Sequence, residues 1–355
     1  MILVSVIIKA LNEEHHIAAA IESALKAVEG IHAEVIIADS ASTDRTVEVS
    51  SRYPVKIVQL ARPDERGCGV GPQLGYQHSS GSYICLMDGD MVLDAGFIKR
   101  GLDFLSRNPS VAGVGGVIVE KNVTNLEFRR RVKRKSSDQS AGSVGRLNGG
   151  GLYRGSAINA VGYFSDRNLH GCEEFELATR LRAAGWGLHR LDCPFVYHYG
   201  HTEGAYRLLW RRFQTRYLCG SGEALRAALG RPQFWLVINE LRELRLWLAV
   251  YIWWSAILAS IWLTPAALAP PAVTLALMVF PVAVMALKYQ SLKLGAYSVF
   301  AWNVHALGAA LGLFRPRVDP ASRIESHVIE NQSSGFPLSD HVSPNADAQS
   351  RGEIE

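Results

Sequence analysis

The chain has 355 residues, a length that accommodates one large α/β domain together with a smaller module. Hydrophobic residues make up 48% of it, which is high for a purely soluble enzyme, and the net charge of only +4 gives no indication of nucleic-acid binding. The five cysteines show neither a CxxC pair nor metal-ligand spacing, which favours a reduced, cytoplasmic setting over a disulfide framework. The N-terminus has no charged region and no cleavage site, so it predicts a first strand instead of a signal peptide.

Short β runs alternate with helical patterns over the first 115 residues. The strands are predicted at 3–8, 34–38, 55–60 and 83–87, and the helices at 14–27, 44–52 and 95–106. Strands that alternate with helices indicate βαβ units and a mainly parallel sheet. Ligands of such sheets bind at the carboxyl ends of the strands. We therefore expect the functional site at that edge.

Acidic and amide side chains follow three of these strands at the point where each strand ends. The three clusters are residues 12–14, 39–44 and 88–90. In the last cluster, two carboxylates in the order Asp88-Gly89-Asp90 suit a hard divalent cation that bridges to a diphosphate. An ordinary turn is the alternative explanation for this tripeptide.

The segments SVIIKALNEE at 5–14, IADSASTD at 37–44 and DGD at 88–90, in this order, resemble the family 2 glycosyltransferases of the GT-A fold over roughly residues 1–220. The resemblance implies an α/β domain with a Rossmann-like nucleotide-binding sheet. It also implies that Asp39 recognises the nucleotide base, and that Asp88 and Asp90 hold the sugar nucleotide and a divalent metal, Mn²⁺ or Mg²⁺. The predicted donor-binding set further includes three residues after the first strand: Ala10, Asn12 and Glu13. Helix capping is the alternative for Asp39 and Asp44.

The segment GPQLG at 71–75 departs from the family pattern. Family members often carry an Ala-Arg-Asn run there that helps to hold the diphosphate, so a cationic contact is missing, although Gln73 stays in the predicted donor-binding set. The negative charge of the diphosphate would then be neutralised by the metal, by Arg66 or by the basic loop at 129–135. That loop could instead bind anionic headgroups or a lipid-linked acceptor phosphate, or be a solvated charge run.

Two further segments complete the predicted pocket. Residues 148–154 resemble the glycine-rich segment that lines the family's donor-sugar and acceptor pocket, and Gly150 and Gly151 would allow close approach of backbone and ligand. A tight turn is the alternative for these glycines. His198 or His201, at the end of a final predicted strand, could complete the metal shell or contact the diphosphate, although a single histidine is more often structural.

The catalytic base is predicted on the helix that follows the glycine-rich segment. Glu174 stands where the family places its catalytic aspartate, and Glu173 is its rival. An inverting transfer needs a carboxylate that takes the proton of the acceptor hydroxyl as its oxygen attacks the anomeric carbon. The alternative is that Glu174 and Glu176 are surface charges on an amphipathic helix.

Beyond position 204 the composition changes. Arginine and aromatic residues at helical spacing predict interfacial helices over 205–244. Residues 214–217 resemble in part the Gln-Arg-x-Arg-Trp motif of processive synthases, which places Arg216 on the acceptor or phosphate side. Residues 246–263 and 266–287 are uncharged and long enough to cross a bilayer as a hairpin, with basic residues on both outer flanks. A third stretch at 295–314 could span, re-enter or lie at the interface.

We therefore predict a catalytic domain at 1–204, interfacial helices at 205–244, hydrophobic helices at 245–314 and a polar, disordered tail at 315–355. The expected protein is a membrane-bound, inverting, metal-dependent glycosyltransferase on the cytoplasmic face of the inner membrane. It would move a sugar from a nucleotide-sugar donor, with UDP expected, to a lipid-linked or membrane-proximal glycan acceptor. The alternatives are a polyprenyl-phosphate glycosyltransferase, a processive polysaccharide synthase and a degenerate sugar-nucleotide-binding assembly protein. The donor sugar, the acceptor and the oligomeric state stay open.

Overall fold

The computed structural model describes residues 3–121, 140–199, 204–263 and 270–329. The strands in this part of the chain are β1 Val4–Ala10, β2 Ala33–Asp39, β3 Lys56–Leu60, β4 Tyr83–Asp88, β5 Met91–Leu93, β6 Val111–Glu120, β7 Gly142–Ser143, β8 Gly151–Arg154, β9 Gly187–His198 and β10 Ser326–Ile329. They form one sheet in the order β10-β3-β2-β1-β4-β8-β6-β9-β5, and β7 pairs with β9.

The described helices begin with those of the sheet domain and end with three long apolar ones. They are α1 Ile17–Ala27, α2 Thr46–Ser50, α3 Val70–Gln77, α4 Phe97–Arg107, α5 Gly155–Ala160, α6 Glu173–Ala183, α7 Ala205–Gln214, α8 Gly220–Ala228, α9 Phe234–Glu240, α10 Glu243–Leu263, α11 Pro270–Tyr289 and α12 Leu292–Phe314. Short 3₁₀ turns lie at Pro63–Glu65 and Tyr217–Cys219. The predicted βα alternation of the first half is confirmed.

Strands β3, β2, β1 and β4 form the parallel part of the sheet, and the central strand is apolar on both faces. In β1, Val6, Ile7 and Ile8 are fully buried, as expected for a central strand covered by helices on both sides. Strands β2, β1 and β4 run parallel and in register, with Ala10 opposite Asp39 and Lys9 opposite Asp88. Their carboxyl ends therefore meet at one edge of the sheet.

The second half of the sheet mixes directions. Strand β8 is antiparallel to both β4 and β6, whereas β9 runs parallel to β6. The short β5 pairs antiparallel with β9, so that Met91 lies opposite His198. The sheet is thus mixed and not mainly parallel, because β8 and β5 return without crossover helices. This mixed α/β sheet agrees with the predicted fold class.

Helices α10, α11 and α12 are each long and apolar enough to cross a membrane, over Glu243–Trp262, Ala272–Tyr289 and Leu292–Phe314. Little of their surface is covered by the rest of the protein, and α11 is the barest of the three. The two predicted spans are therefore present as helices. The third apolar stretch is also a continuous helix.

The first part of the tail is folded, which corrects the expectation of disorder from residue 315 onwards. Strand β10 pairs antiparallel with β3, with Val328 opposite Val58, and Ile324 is fully buried against the same strand. The tail is ordered because β3 would otherwise be an edge strand with unpaired backbone groups. Residues 330–355 lie outside the described part.

Candidate active site

The loops after β1 and β2 are tied together by polar contacts. The Asn12 side-chain oxygen accepts a hydrogen bond from the Thr43 backbone N–H at 2.8 Å, and the Asn12 N–H donates to Ser42 Oγ at 2.9 Å. Asn12 adopts a left-handed φ of 58°, which asparagine tolerates better than most residues. The carbonyl of Ala10 accepts from the Ser40 N–H at 2.9 Å. Asn12 and Ala10 therefore shape the predicted donor pocket through these protein contacts.

Asp39 is fully buried at the end of β2. Its carboxylate accepts from the backbone and hydroxyl of Ser42 and from Gln59 Nε2 at 2.9 Å. A carboxylate has about four acceptor positions, so these three bonds hold Asp39 rigidly and leave capacity for one more donor. The carboxylate of Asp44, in contrast, accepts hydrogen bonds from the backbone N–H groups of Thr46 and Glu14, each at 3.0 Å. The capping alternative thus describes Asp44 better than Asp39.

The two acids of the DGD tripeptide have different partners. Asp88 Oδ1 lies 2.9 Å from Lys9 Nζ, while Asp90 Oδ2 lies 3.2 Å from His198 Nε2. The glycine between them donates its N–H to the Lys9 carbonyl at 2.9 Å, which anchors the turn to β1.

His198 is held between two carboxylates at the ends of three strands. Its Nδ1 lies 2.6 Å from Glu120 Oε2, opposite the Nε2 contact to Asp90. The pairing of β6 with β9 sets Glu120 beside His198, and the pairing of β5 with β9 brings Asp90 near. Burial would lower the pKa of His198, but hydrogen bonds and charges of both acids outweigh burial and raise it to about 10. Sequence reasoning did not identify Glu120 as a site residue, although its carboxylate lies at the end of strand β6.

These groups fit a divalent cation. Carboxylate oxygen suits Mn²⁺ and Mg²⁺, and a ligating histidine usually gives its other ring nitrogen to a carboxylate, as His198 does to Glu120. Within the described ranges no three His, Cys, Asp or Glu side chains are grouped as a metal site. Mg²⁺ in particular is usually held by one or two carboxylates, substrate phosphates and water. Asp90 would therefore hold the ion, and His198 would join it only after losing the Nε2 proton that its raised pKa retains, with diphosphate oxygens and water completing the shell.

Glu13 adds negative charge to this corner of the site. Burial, followed by the charges of Asp90 and Asp88, raises the pKa of Glu13 to about 7. The backbone N–H of Glu13 donates to Thr46 Oγ1 at 2.7 Å, which fixes the residue at the start of the loop. Several acids in one half-buried corner repel one another, and a bound cation would relieve that repulsion.

The glycine-rich segment lies directly over the proposed base. The Gly150 N–H donates to Glu174 Oε1 at 2.8 Å. Both Gly150 and Gly151 have positive φ, and a Cβ on Gly150 would lie 2.0 Å from the Leu86 carbonyl oxygen. The glycine at 150 is therefore required by close backbone packing within the protein, which agrees with the turn alternative more than with ligand approach.

Glu174 and its neighbour Glu173 diverge at the start of α6. Burial, and then the charge of Glu173, raises the pKa of Glu174 to about 7. Glu173 Oε1 instead lies 3.2 Å from Lys9 Nζ. The surface-charge alternative is wrong for Glu176, which is buried and paired with Arg180 at 2.7 Å.

Lys9 is a second site residue that sequence reasoning missed. Its ammonium lies between Asp88 and Glu173, and their charges outweigh burial and raise the pKa of Lys9 above its ordinary value. A Cβ on Gly71 would lie 3.2 Å from the Lys9 Cβ, so the lysine stem runs under the first turn of α3. A positive group is therefore present beside the segment where the cationic contact was expected to be missing. A lone lysine in the apolar run SVIIKA was the signal for it.

Gln73 has a structural contact within the protein. It is buried, and its Oε1 accepts from the backbone N–H groups of Phe164 and Ser165, each at 3.0 Å. Its side-chain oxygen therefore braces the loop before α6, and its donor contact stays a prediction.

Arg216 is exposed and precedes the turn Tyr217–Cys219, which packs against Gly171 next to α6. Arg216 therefore lies beside the segment that leads into α6. His201 and the basic loop at 129–135 lie outside the described residues.

Two family models match the chain. The model described as Glycosyl transferase family 2 matches residues 5–160, and the one described as Glycosyl transferase family group 2 matches residues 83–289, more than half of the chain.

Curated relatives and solved structures agree with these matches. The chain is 28% identical over 138 residues to a dolichol-phosphate mannosyltransferase of Pyrococcus furiosus, covering 38% of this chain and 39% of that protein. It is 25% identical over 224 residues to the succinoglycan biosynthesis protein ExoA of Rhizobium meliloti, covering 59% and 66%. The chain thus spans less than two thirds of the length of these relatives. A mannosyltransferase from Pyrobaculum calidifontis, solved with GDP-Man and Mn²⁺, shares the fold with a TM-score of 0.58 at 18% identity, over 88% of this chain and 87% of that one.

Proposed function

The chain belongs to the family 2 glycosyltransferases, and from that membership we propose that it is a metal-dependent, inverting enzyme that glycosylates a membrane-bound acceptor. One observation carries the proposal. The Asp90–His198 pair, the buried Asp39 and the Glu174 carboxylate all lie around the same carboxyl edge of the sheet. The Asp90–His198 pair would bind a cation, Asp39 would bind the nucleotide base, and Glu174 would accept the proton.

The donor is proposed to be a nucleoside diphosphate sugar whose base carries an imino N–H. Asp39 keeps acceptor capacity for one further donor, and the N3–H of uracil or the N1–H of guanine would match it. A UDP-sugar is the first donor to test. GDP-mannose is the second, because the neighbouring mannosyltransferase structure contains GDP-Man.

Asp90 and His198 would hold the divalent cation, with Glu120 orienting the imidazole. The cation would neutralise the charge that develops on the leaving diphosphate. Lys9 adds a fixed positive charge next to Asp88 on the same side of the pocket. Together these groups would orient the donor before transfer.

Glu174 is proposed as the base. Its carboxylate would take the proton of the acceptor hydroxyl while that oxygen bonds to the anomeric carbon and the bond to the diphosphate breaks, which inverts the configuration. The Gly150 N–H fixes the carboxylate, and the raised pKa suits a base that works near neutral pH. Glu173 is engaged by Lys9, which favours Glu174 of the two.

The acceptor is proposed to be a lipid-linked or membrane-proximal glycan on the cytoplasmic face of the inner membrane. Three apolar helices follow the sheet domain directly and would keep the site at the bilayer surface. A polyprenyl phosphate as acceptor is the second candidate, favoured by the similarity to a dolichol-phosphate mannosyltransferase. We keep the predicted division into catalytic domain, interfacial helices, hydrophobic helices and tail, except that residues 316–329 are assigned to the sheet domain because β10 pairs with β3.

The test is a donor panel on the full chain in nanodiscs. UDP-sugars and GDP-mannose are supplied with Mn²⁺ and native lipid extract, and products are identified by mass spectrometry. We expect one donor to give a glycosylated lipid and an equal amount of free nucleoside diphosphate. Nucleotide binding without acceptor-dependent release of nucleoside diphosphate would instead identify a sugar-nucleotide-binding assembly protein.

A further inference from the structure

Both ends of the apolar helical unit are attached to the sheet domain. At its start, helix α9 directly precedes α10, and Glu240 of α9 pairs with Arg182 of α6 at 2.7 Å. Leu241, between the two helices, is buried in the same apolar cluster as Phe175 of α6. Helix α10 therefore leaves from a fixed point on the domain.

At the end of the unit, α12 leads directly into contacts with the same domain. Arg317 pairs at 2.6 Å with Asp166, which is fully buried, and Arg315 lies 3.7 Å from the buried Glu223. The chain then continues into β10 on the edge of the sheet. Residues 242 and 315 consequently lie on the same side of any bilayer that the unit enters.

This arrangement limits the number of crossings. A chain that leaves a folded domain and returns to it must cross a bilayer an even number of times. Three helices have the length and composition to cross. At least one of them therefore does not.

Helix α12 is the one with the most protein contact along its length. A Cβ on Gly312 would lie 2.1 Å from the Cys219 carbonyl oxygen, and a Cβ on Gly222 would lie 1.8 Å from the Ala309 carbonyl oxygen. The second half of α12 is thus in backbone contact with the turn before α8 and with α8 itself. Lipid has no access to that side of the helix.

The first half of α12 contacts the start of α7. The ring centroids of Tyr206 and Tyr297 are 4.7 Å apart, and Tyr297 Oη donates to the Ala205 carbonyl at 3.3 Å. Helix α7 also carries Arg207, Arg211 and Arg212. Because arginine charges are excluded from the hydrocarbon centre, α7 must stay near the headgroups, and so must the part of α12 around Tyr297 that contacts it.

We propose that α10 and α11 cross the bilayer as a hairpin, and that α12 does not cross but lies with α7 in the interface of the leaflet that faces the sheet domain. The surface that α7 and α12 form together would contact the lipid bilayer itself. Trp210 of α7 and Phe314 of α12, 61% and 83% exposed, provide aromatic and apolar contact at headgroup depth. Lys288 and Lys293 then flank a turn on the same side as the domain, in agreement with the positive-inside rule.

The proposal rests on the membrane attachment proposed above, so attachment is measured first. The full chain is reconstituted in sealed vesicles with the nucleotide-binding side outward, and carbonate extraction tests whether it stays with the lipid. Release by carbonate would contradict integral attachment itself, separately from the number of crossings.

Topology is then read with a membrane-impermeant maleimide on single-cysteine additions to the native chain, with the unmodified chain as baseline. Gln290→Cys, in the turn between α11 and α12, should label in intact vesicles to the same extent as in detergent. Leu292→Cys, which is 70% exposed, repeats the measurement if the first variant folds poorly. Trp262→Cys, near the far end of α10, should label only after permeabilisation. Labelling of position 290 or 292 only after permeabilisation would overturn the proposal, and so would labelling of position 262 in intact vesicles.

Discussion

Replacement of Glu174 by glutamine tests the proposed base and separates it from its neighbour. The Gly150 N–H donates to Glu174 Oε1 at 2.8 Å, and glutamine keeps an oxygen for that bond while losing the ability to take a proton. Burial and the charge of Glu173 raise the pKa of Glu174 from 4.5 to about 7. The ionised form is the base, so the wild-type rate should rise with pH and level off above about 7.

The magnitudes follow from that pKa. At pH 5 about one Glu174 side chain in a hundred would be ionised, so turnover should be about 100-fold below its plateau. Glu174→Gln should lose about 10²–10⁴-fold in turnover at pH 8, the usual effect of removing a general base. Its remaining activity should no longer rise with pH between 5 and 8.

The Glu174→Gln substitution should raise the stability of the fold at high pH although it lowers turnover. An acid whose pKa is raised in the folded state favours the protonated form, so the fold loses stability as the pH rises from 4.5 to about 7, and the loss is complete above pH 7 and absent below pH 4.5. The rise from 4.5 to about 7 corresponds to about 3 kcal/mol at most. Glu174→Gln should therefore be more stable than the wild type at pH 8 and equal to it at pH 4.

The assay combines turnover and donor KM from pH 5 to 9 with urea unfolding at pH 4 and pH 8. Glu173→Gln is the matched control, because it removes an adjacent carboxylate that contacts Lys9 at 3.2 Å. If Glu173→Gln abolishes turnover while Glu174→Gln leaves it near normal, the base is one residue earlier. If both variants keep the wild-type rate and its pH dependence, the base lies elsewhere.

Asp90→Ala should lower the rate by at least about two orders of magnitude, the scale for losing one electrostatic stabiliser, and full activity in excess EDTA would contradict the metal requirement. Glu120→Gln should weaken Mn²⁺ binding by about 10–100-fold, because the imidazole of His198 loses the carboxylate that orients it. An unchanged Mn²⁺ titration curve would argue against that role. A chain that ends at Glu240 should lose membrane attachment and, because β10 is missing, should also unfold at lower urea than the full chain; an unchanged urea midpoint would show that β10 adds no stability.

The fold of the first half could be predicted because the signals are local. Apolar runs of strand length alternate with helical periodicity, and the acids at their ends fall where parallel strands finish. Strand β10 could not be found in this way, since four residues of a polar tail become a strand only beside β3. The antiparallel placement of β8 and β5 likewise depends on partners that are distant in sequence.

The candidate site was predictable to a similar degree. Family motifs indicated Asp39, Asp90 and Glu174, although their individual roles stay predictions. The position of Gln73 in a motif does not reveal that its oxygen accepts from Phe164 and Ser165, and its donor contact stays a prediction. Lys9 was overlooked because its partners become visible only when β1, β4 and α6 are brought together.

The position of β10 has a consequence for how the protein is made. The sheet domain emerges from the ribosome first, but the strand that covers the edge of β3 is translated only after all three apolar helices. Until then β3 carries unpaired backbone groups, which are open to pairing with another chain. Translation of the helices must therefore come before the sheet is complete, so a nascent chain that stalls within them would keep an open, aggregation-prone edge.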